Sequence, residues 1–533
     1  MLADPTVTTA PRPAPDALRP AVVEADSVSV QRGGRRILAG VDLWIPAGQL
    51  VVLAGPSGAG KTTLLEVLAG LRTPSAGAVA HRGRSVGTAP DRVGFVPQDD
   101  LVHRELPLEA SLLHAAGLLV DEPRSARQAR VERVMRELDL LRSRSVAVGE
   151  LSGGQRKRAS VAVELLGEPE VLFLDEPTSG LDPATAAEVR TALRRLVHRN
   201  VTVVLTSHHL SDLEAADRLV LLSPAGEIAY DGAPQLATRA FGVEGLSDVY
   251  LELVRGKVPH PVRRFSPEPS AVAATVAGSR PARPGAVVQW RTLVHRNAAT
   301  LARGRLTLAV LLGSPVLVTA MMVTLFPPGV LDAGPLEPLA RQLTFWLAFA
   351  AFFFGLTFGL LQVVDDVPIL RRENRAGLGV TTYLAAKVAV LVPLLAVVVG
   401  LLVGTLQVFD RLPPHLGRSL LPTLMLEAVG ALALGLLASS LVRTPAQAAL
   451  ALPMLCFPQV LFAGAVVPVP AMPLLGRAVS HGLVNRWGFD ALQAEILGAP
   501  GDGPLTEWAV LLGLALVSLM AAVRVLDRRC APG

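Results

Sequence analysis

Two short stretches of this sequence hold residue types suited to phosphate chemistry. The first is Gly55-Pro56-Ser57-Gly58-Ala59-Gly60-Lys61-Thr62-Thr63, which fits a glycine-rich loop closing on Gly-Lys-Thr. Glycines there let the backbone approach phosphate oxygens, and successive N–H groups at a helix start favour an anion. Lys61 would neutralise the β- and γ-phosphates of a nucleotide, and the Thr62 hydroxyl would ligate Mg²⁺. The second stretch is the apolar run Val171–Leu174 followed by Asp175 and Glu176. An aspartate closing a buried strand can reach the Mg²⁺ of a nucleotide on a neighbouring loop. A carboxylate one residue further on can hold and deprotonate an attacking water. Taken singly, each stretch has a bland alternative, a structural turn or a solvated pair of acids. Together they imply a nucleoside triphosphatase, without separating kinases, GTPases and transport ATPases.

The elements needed to position these residues are legible around them. Leu50–Ala54 reads as a buried strand running into the loop, with a helix from the loop through Leu68. Val171–Leu174 and 201–205 read as further strands, with a helix over Pro183–His198 between them and a charged amphipathic helical stretch over 121–141. Strands alternating with helices imply an α/β domain on a parallel sheet, assigned to residues 25–255. Residues 1–24 are rich in Pro and Ala without an apolar core, which predicts a disordered arm rather than a secretory signal. Residues 256–288 read as a Pro-, Ala- and Arg-rich linker.

Beyond the linker the composition changes. The chain of 533 residues is 51% hydrophobic and 18% charged, and nearly all its long apolar runs follow Arg305. Residues 289–530 are predicted to form an all-α membrane domain of six spans, near 304–326, 342–364, 385–408, 419–441, 445–467 and 505–525. Arg371, Arg372, Arg375, Lys387 and Arg443 would mark the cytoplasmic side. The net charge of +5 comes with no basic stripe interleaved with aromatics, so no nucleic-acid partner is expected. Two cysteines, Cys456 and Cys530, offer neither a disulfide framework nor metal spacing. Glu427 stands inside the fourth span, where an ionisable group is costly; it either contacts cargo or a partner, or is paired or protonated internally. Asp365 and Asp366 are expected to pair with Arg371 and Arg372.

LSGGQ at Leu151–Gln155, LFLDEPTSGLD at Leu172–Asp182 and the loop upstream resemble, in order and spacing, the nucleotide-binding domain of an ATP-binding-cassette (ABC) transporter. The resemblance implies ATP and Mg²⁺ as cofactors and gives roles to further residues. Gln98 would join Thr62 and Asp175 at the metal, and His208 would be a switch histidine beside the catalytic Glu176. Ser152, Gly153, Gly154 and Gln155 would close over the γ-phosphate on a second subunit's loop. Where the family stacks an aromatic ring on adenine, this sequence offers Arg32. A cassette, a linker and one six-span domain in a single chain, with Leu370–Lys387 and Arg486–Leu492, resemble the ABCG (White) type of half-transporter. The expectation is therefore a homodimer in the cytoplasmic membrane, its cassettes in the cytoplasm. It would export an unidentified hydrophobic or amphipathic small molecule at the cost of ATP. The alternative is a membrane ATPase that drives or regulates a partner without moving cargo.

Overall fold

A computed structural model describes residues 21–86, 93–100, 102–256, 283–331, 338–497 and 504–531. The chain divides at residues 282/283 into two compact units.

In the first unit, β1 (Ala21–Arg32) and β2 (Arg35–Pro46) form a hairpin, and β3 (Leu50–Ala54) leads through the glycine loop into α1 (Lys61–Leu68). Then come β4 (Ala76–His81), β5 (Arg84–Ser85), β6 (Val93–Val96), α2 (Leu108–Leu119), α3 (Arg124–Glu137) and α4 (Gly153–Leu165). β7 (Val171–Leu174), α5 (Pro183–His198), β8 (Thr202–Thr206), α6 (Leu210–Glu214) and β9 (Arg218–Leu222) follow. β10 (Ile228–Gly232), α7 (Pro234–Phe241) and α8 (Leu246–Val254) close the unit.

Six strands form one sheet in the order β10-β9-β3-β8-β7-β6, parallel except at the β9/β10 edge. Every residue of β3, β7 and β8 is buried. A strand covered on both faces reads as a near-continuous apolar run, as β3 and β7 do, while β8 is apolar over 203–205 between Thr202 and Thr206. Because β8 lies between β3 and β7, the carboxyl ends of all three strands meet at one rim. Gly55, Asp175 and Ser207 leave the sheet there, where open α/β sheets bind ligands.

A second sheet, antiparallel in the order β2-β1-β4-β5, was not anticipated. It also moves a boundary: β1 starts at Ala21, inside the arm assigned to 1–24, while residues 1–20 lie outside the described residues. Most of the assigned linker lies outside them too, and the helix that follows starts at Ala286, within it.

The second unit is helical. It comprises α9 (Ala286–Arg303), α10 (Arg305–Leu325), α11 (Pro338–Leu360), α12 (Val367–Arg375) and α13 (Val380–Val408). After these come α14 (Pro414–Leu441), α15 (Pro445–Leu461), α16 (Leu474–His481), α17 (Val484–Leu497) and α18 (Leu505–Cys530). Among the described residues α11, α13, α14 and α18 are long and apolar enough to cross a membrane. The first and fifth expected spans correspond to α10, apolar over Leu311–Leu325, and to the 17-residue α15, which carries Pro453 and Pro458.

Asp366 pairs with Lys387 at 2.8 Å and accepts from the Tyr383 hydroxyl at 2.9 Å. Arg371 gives its Nε–H to the Arg529 carbonyl at 2.7 Å, a contact between α12 and α18. Arg296 of α9 and Glu373 of α12 form a buried bidentate pair.

α11 and α14 meet backbone to backbone. A Cβ on Gly355 would lie 2.0 Å from the Ala428 carbonyl oxygen, and one on Gly359 would lie 2.5 Å from that of Leu432. This Gly-x-x-x-Gly spacing allows close approach, on which packing between membrane helices depends. Gly355→Ala is expected to destabilise the unit by about 1–3 kcal/mol through overpacking. Gly404→Ala on α13, where a Cβ meets nothing within 4 Å, should be neutral or better, since alanine is the stronger helix former. Thermal unfolding in detergent compares the two.

Candidate nucleotide site

The glycine loop is shaped by contacts that only glycine tolerates. Gly60 caps α1 with φ +92°, and a Cβ there would meet Leu38 Cδ2 at 2.9 Å. Gly55 brings the chain against β9, where a Cβ would lie 2.5 Å from the Leu222 carbonyl oxygen. The loop opens on a cavity of about 530 Å³ lined by Ser57, Gly58, Gly60, Lys61, Thr62, Thr63 and Glu176. That volume suits a nucleotide-sized ligand.

Lys61 lies half-buried over the loop, its ammonium donating to the carbonyls of Gly55 (3.0 Å) and Pro56 (3.1 Å). Burial pulls its pKa below the ordinary lysine value, while the charges of Glu176 and Asp175 oppose that shift. Both carbonyl contacts are ones that phosphate oxygens would replace with charge-assisted bonds.

Thr62 donates its hydroxyl to Asp175 Oδ1 at 3.0 Å, and Thr206 donates to the same oxygen at 2.6 Å. Asp175 is buried and, among the described residues, has no ion-pair partner. A hydroxyl beside a carboxylate that lacks a counter-cation is a hard-oxygen donor set that fits Mg²⁺. No group of three or more His, Cys, Asp or Glu among the described residues could hold a metal alone.

Glu176 borders the cavity with φ +44°, a left-handed conformation that costs a non-glycine residue energy and is concentrated at functional sites. Its N–H donates to Thr206 Oγ1 at 2.8 Å, which holds the turn. His208 Nδ1 lies 3.3 Å from Glu176 Oε1. Sequence reasoning missed Thr206 although it stands two residues before His208. It also missed Tyr250, whose hydroxyl donates to the Gly55 carbonyl at 2.9 Å across 195 residues of sequence, a separation no local pattern reveals.

Arg32 lines the cavity, as do Arg35 and Arg36 across the Gly33-Gly34 turn of the β1–β2 hairpin. All three are exposed and, among the described residues, without an ion-pair partner, whereas Arg130, Arg158, Arg190 and Arg218 of the same unit are paired with acids. The rim is therefore cationic. Replacing the three together (R32A/R35A/R36A) should weaken nucleotide binding about tenfold at low salt, roughly 0.5 kcal/mol for each exposed charge. It should also flatten the salt dependence of binding, measured by titrating a fluorescent ATP analogue.

Not every expected residue joins the site. Gln98 is exposed, and its backbone carbonyl takes the Lys157 ammonium at 2.7 Å. Its side chain does not line the cavity, so Thr62 and Asp175 are brought together without it. Ser152 caps α4 through a reciprocal pair, Gln155 N–H to Ser152 Oγ (3.3 Å) and Ser152 N–H to Gln155 Oε1 (3.0 Å). None of Ser152, Gly153, Gly154 and Gln155 lines the cavity around Lys61. Glu427 belongs to the other unit. It is fully buried, neither carboxyl oxygen is hydrogen-bonded among the described residues, and Gly488 of α17 packs on it so closely that a Cβ would lie 2.1 Å from Oε2.

Comparison with known proteins supplies the family. Residues 38–179 match the family described as ABC transporter, and residues 288–497 match ABC-2 type transporter. A daunorubicin resistance ATP-binding protein of Streptomyces coeruleorubidus is 36% identical over 230 residues, which are 41% of this chain and 71% of that protein. The chain belongs to the ABC transporter family. An ABC transporter ATP-binding/permease protein of Mycobacterium tuberculosis is 33% identical over 501 residues, covering 89% of this chain and 57% of that protein. ABC transporter G family member 14 of Arabidopsis thaliana is 36% identical over 244 residues, 42% of this chain and 38% of that protein. This ABC transporter chain thus spans little more than half the length of the M. tuberculosis relative. Its two units are the cassette and the helical membrane domain of the family.

Proposed function

We propose that this chain hydrolyses ATP, with Mg²⁺, to drive export of a hydrophobic or amphipathic compound, and that it does so as a homodimer in the cytoplasmic membrane. The observation that carries the reading is the division of the cassette's chemistry. Lys61, Thr62 and Glu176 line one cavity at the rim of the sheet, with Asp175 bonded to Thr62 and His208 to Glu176, while Ser152–Gln155 stand outside that cavity. A second copy supplying its own Ser152–Gln155 completes each site, and a two-fold pair of identical chains gives two equivalent sites.

In that reading Lys61 binds the β- and γ-phosphates, and Arg32 faces the base or ribose. Thr62 and Asp175 would hold the metal, joined by Gln98 once the dimer closes. Bound Mg²⁺ neutralises charge on the phosphates. Glu176 takes the proton of the attacking water, held in place by His208. ATP bound across two cassettes favours the closed state, and hydrolysis removes that bias. The six spans, α10, α11, α13, α14, α15 and α18, enclose the path for cargo. Glu427 meets cargo only when α17 separates from α14, because Gly488 closes over it. Support for export comes from the names of relatives, among them a Nod factor export ATP-binding protein of Burkholderia lata, 35% identical over 219 residues, 40% of this chain and 71% of that protein.

The test is reconstitution into liposomes with a panel of lipids, drugs and metabolites, using Glu176→Gln as the blank. ATP-dependent accumulation of at least one compound is expected. ATP turnover without movement of any compound would favour a membrane ATPase that acts on a partner.

A further inference from the structure

Behind the Glu176–His208 pair lies a buried carboxylate that the nucleotide chemistry leaves unused. Asp212, on α6, is 2% exposed. Its Oδ2 accepts from Thr178 Oγ1 at 2.5 Å and from Ser207 Oγ at 2.6 Å, and its Oδ1 accepts from an Arg190 guanidinium N–H at 3.0 Å. Thr178 stands two residues after Glu176, and Ser207 immediately precedes His208; both are 1% exposed. Ser207 Oγ also accepts the N–H of His209 at 3.0 Å, which fixes the turn on the other side of His208. Arg190 belongs to α5, the helix that Asp182 caps by accepting from the N–H groups of Ala184 and Thr185 at 3.1 Å.

One carboxylate therefore fastens the loop of Glu176, the loop of His208 and the helix that begins at Asp182. Hydrogen bonds to an ionised acceptor are about twice as strong as neutral ones, and the low local dielectric strengthens them further. His208 needs such anchoring. Its side chain is 45% exposed, and Glu176 is its one hydrogen-bond partner among the described residues. Where the ring sits is decided by the backbone that Ser207 holds.

We propose that Asp212 is a positioning residue for ATP turnover. It sets the separation of Glu176 and His208 by anchoring Thr178 and Ser207 to one point. The inference rests on the reading of Glu176 and His208 as the residues that act on ATP. Asp212, Thr178, Ser207 and Arg190 do not line the nucleotide cavity, so the role belongs to turnover and not to binding.

The test compares Asp212→Asn, Thr178→Val, Thr178→Ser and the double variant D212N/T178V, each in the full chain. Steady-state ATP hydrolysis is measured beside equilibrium binding of a fluorescent ATP analogue. Asp212→Asn and Thr178→Val should each lower kcat about tenfold, with KM and Kd within about twofold of wild type. Thr178→Val keeps the side-chain shape and removes only the donor. Thr178→Ser, which keeps the donor, should recover turnover. The double variant should lose no more than either single one, because both break the same link. Wild-type kcat in Asp212→Asn and Thr178→Val overturns the proposal, as do losses that add in the double variant or that fall on KM and Kd. Glu176→Gln separates the two levels of the argument. If it turns over at the wild-type rate, the reading of the site fails. If it is dead while Asp212→Asn and Thr178→Val are fully active, only the positioning role fails.

Discussion

Glu176→Gln is expected to lower steady-state ATP hydrolysis by about 10²–10³-fold, the range for loss of a general base. Glutamine has nearly the shape of glutamate and keeps an oxygen for the 3.3 Å contact with His208, but it cannot accept the proton of water. Lys61, Thr62 and Asp175 stay in place, so affinity for ATP should hold while turnover collapses. The left-handed backbone at residue 176 (φ +44°) is fixed by the bond from its N–H to Thr206 and does not depend on the carboxylate. Phosphate release and equilibrium nucleotide binding, measured on the same preparation, separate the two effects. A parallel loss of both would move Glu176 from chemistry to binding.

Lys61→Ala should act on the other term and weaken nucleotide binding by roughly 10²-fold. Removing one partner of a buried, hydrogen-bonded charge pair costs about 2–5 kcal/mol, and each 1.4 kcal/mol is tenfold. The pH dependence has a definite sign. Burial depresses the pKa of Lys61 in the nucleotide-free site, so its ammonium is lost at a lower pH than that of an ordinary lysine. Bound phosphates favour the charged form, and affinity therefore falls as pH rises through the depressed value. Lys61→Ala should remove that alkaline loss along with the affinity, which a Kd measured across pH in both proteins would record.

Much of the site was legible because its chemistry is local in sequence. The loop Gly55–Thr63, the pair Asp175-Glu176 and the buried runs before them fall within short windows, and β3, β7 and β8 bring them to one rim. The antiparallel sheet was hidden for a physical reason. β1 pairs with β2 through register shifts between Ala25 and Val28 and again between Val28 and Val30. Each shift breaks the alternation that marks a half-buried strand. Arg35 and Arg36 belong to the rim because Gly33-Gly34 folds the chain back beside Arg32, which sequence spacing does not reveal. Tyr250 and Asp212 could not be found by spacing. Tyr250 reaches Gly55 from the far end of the unit, and in sequence Asp212 is an acid on a short polar helix whose burial only the packing reveals. Likewise Glu427 was recognisable as an ionisable group in an apolar run, but its closure by Gly488 depends on how α14 and α17 pack.

If the two halves of the cassette serve different ATP sites, Lys61 and Glu176 of one chain act with Ser152–Gln155 of another. Mixing two inactive variants tests it most directly. Lys61→Ala spoils its own loop, while in the proposed dimer Gly153→Asp would place a carboxylate against the partner's γ-phosphate. Each alone should be inactive. In a mixed dimer, one site joins the intact loop of the Gly153→Asp chain to the intact Ser152–Gln155 of the Lys61→Ala chain. Co-expressed and purified through different tags on the two chains, the mixed dimers should regain ATP hydrolysis well above either parent. Mixed dimers as inactive as both parents would contradict the account.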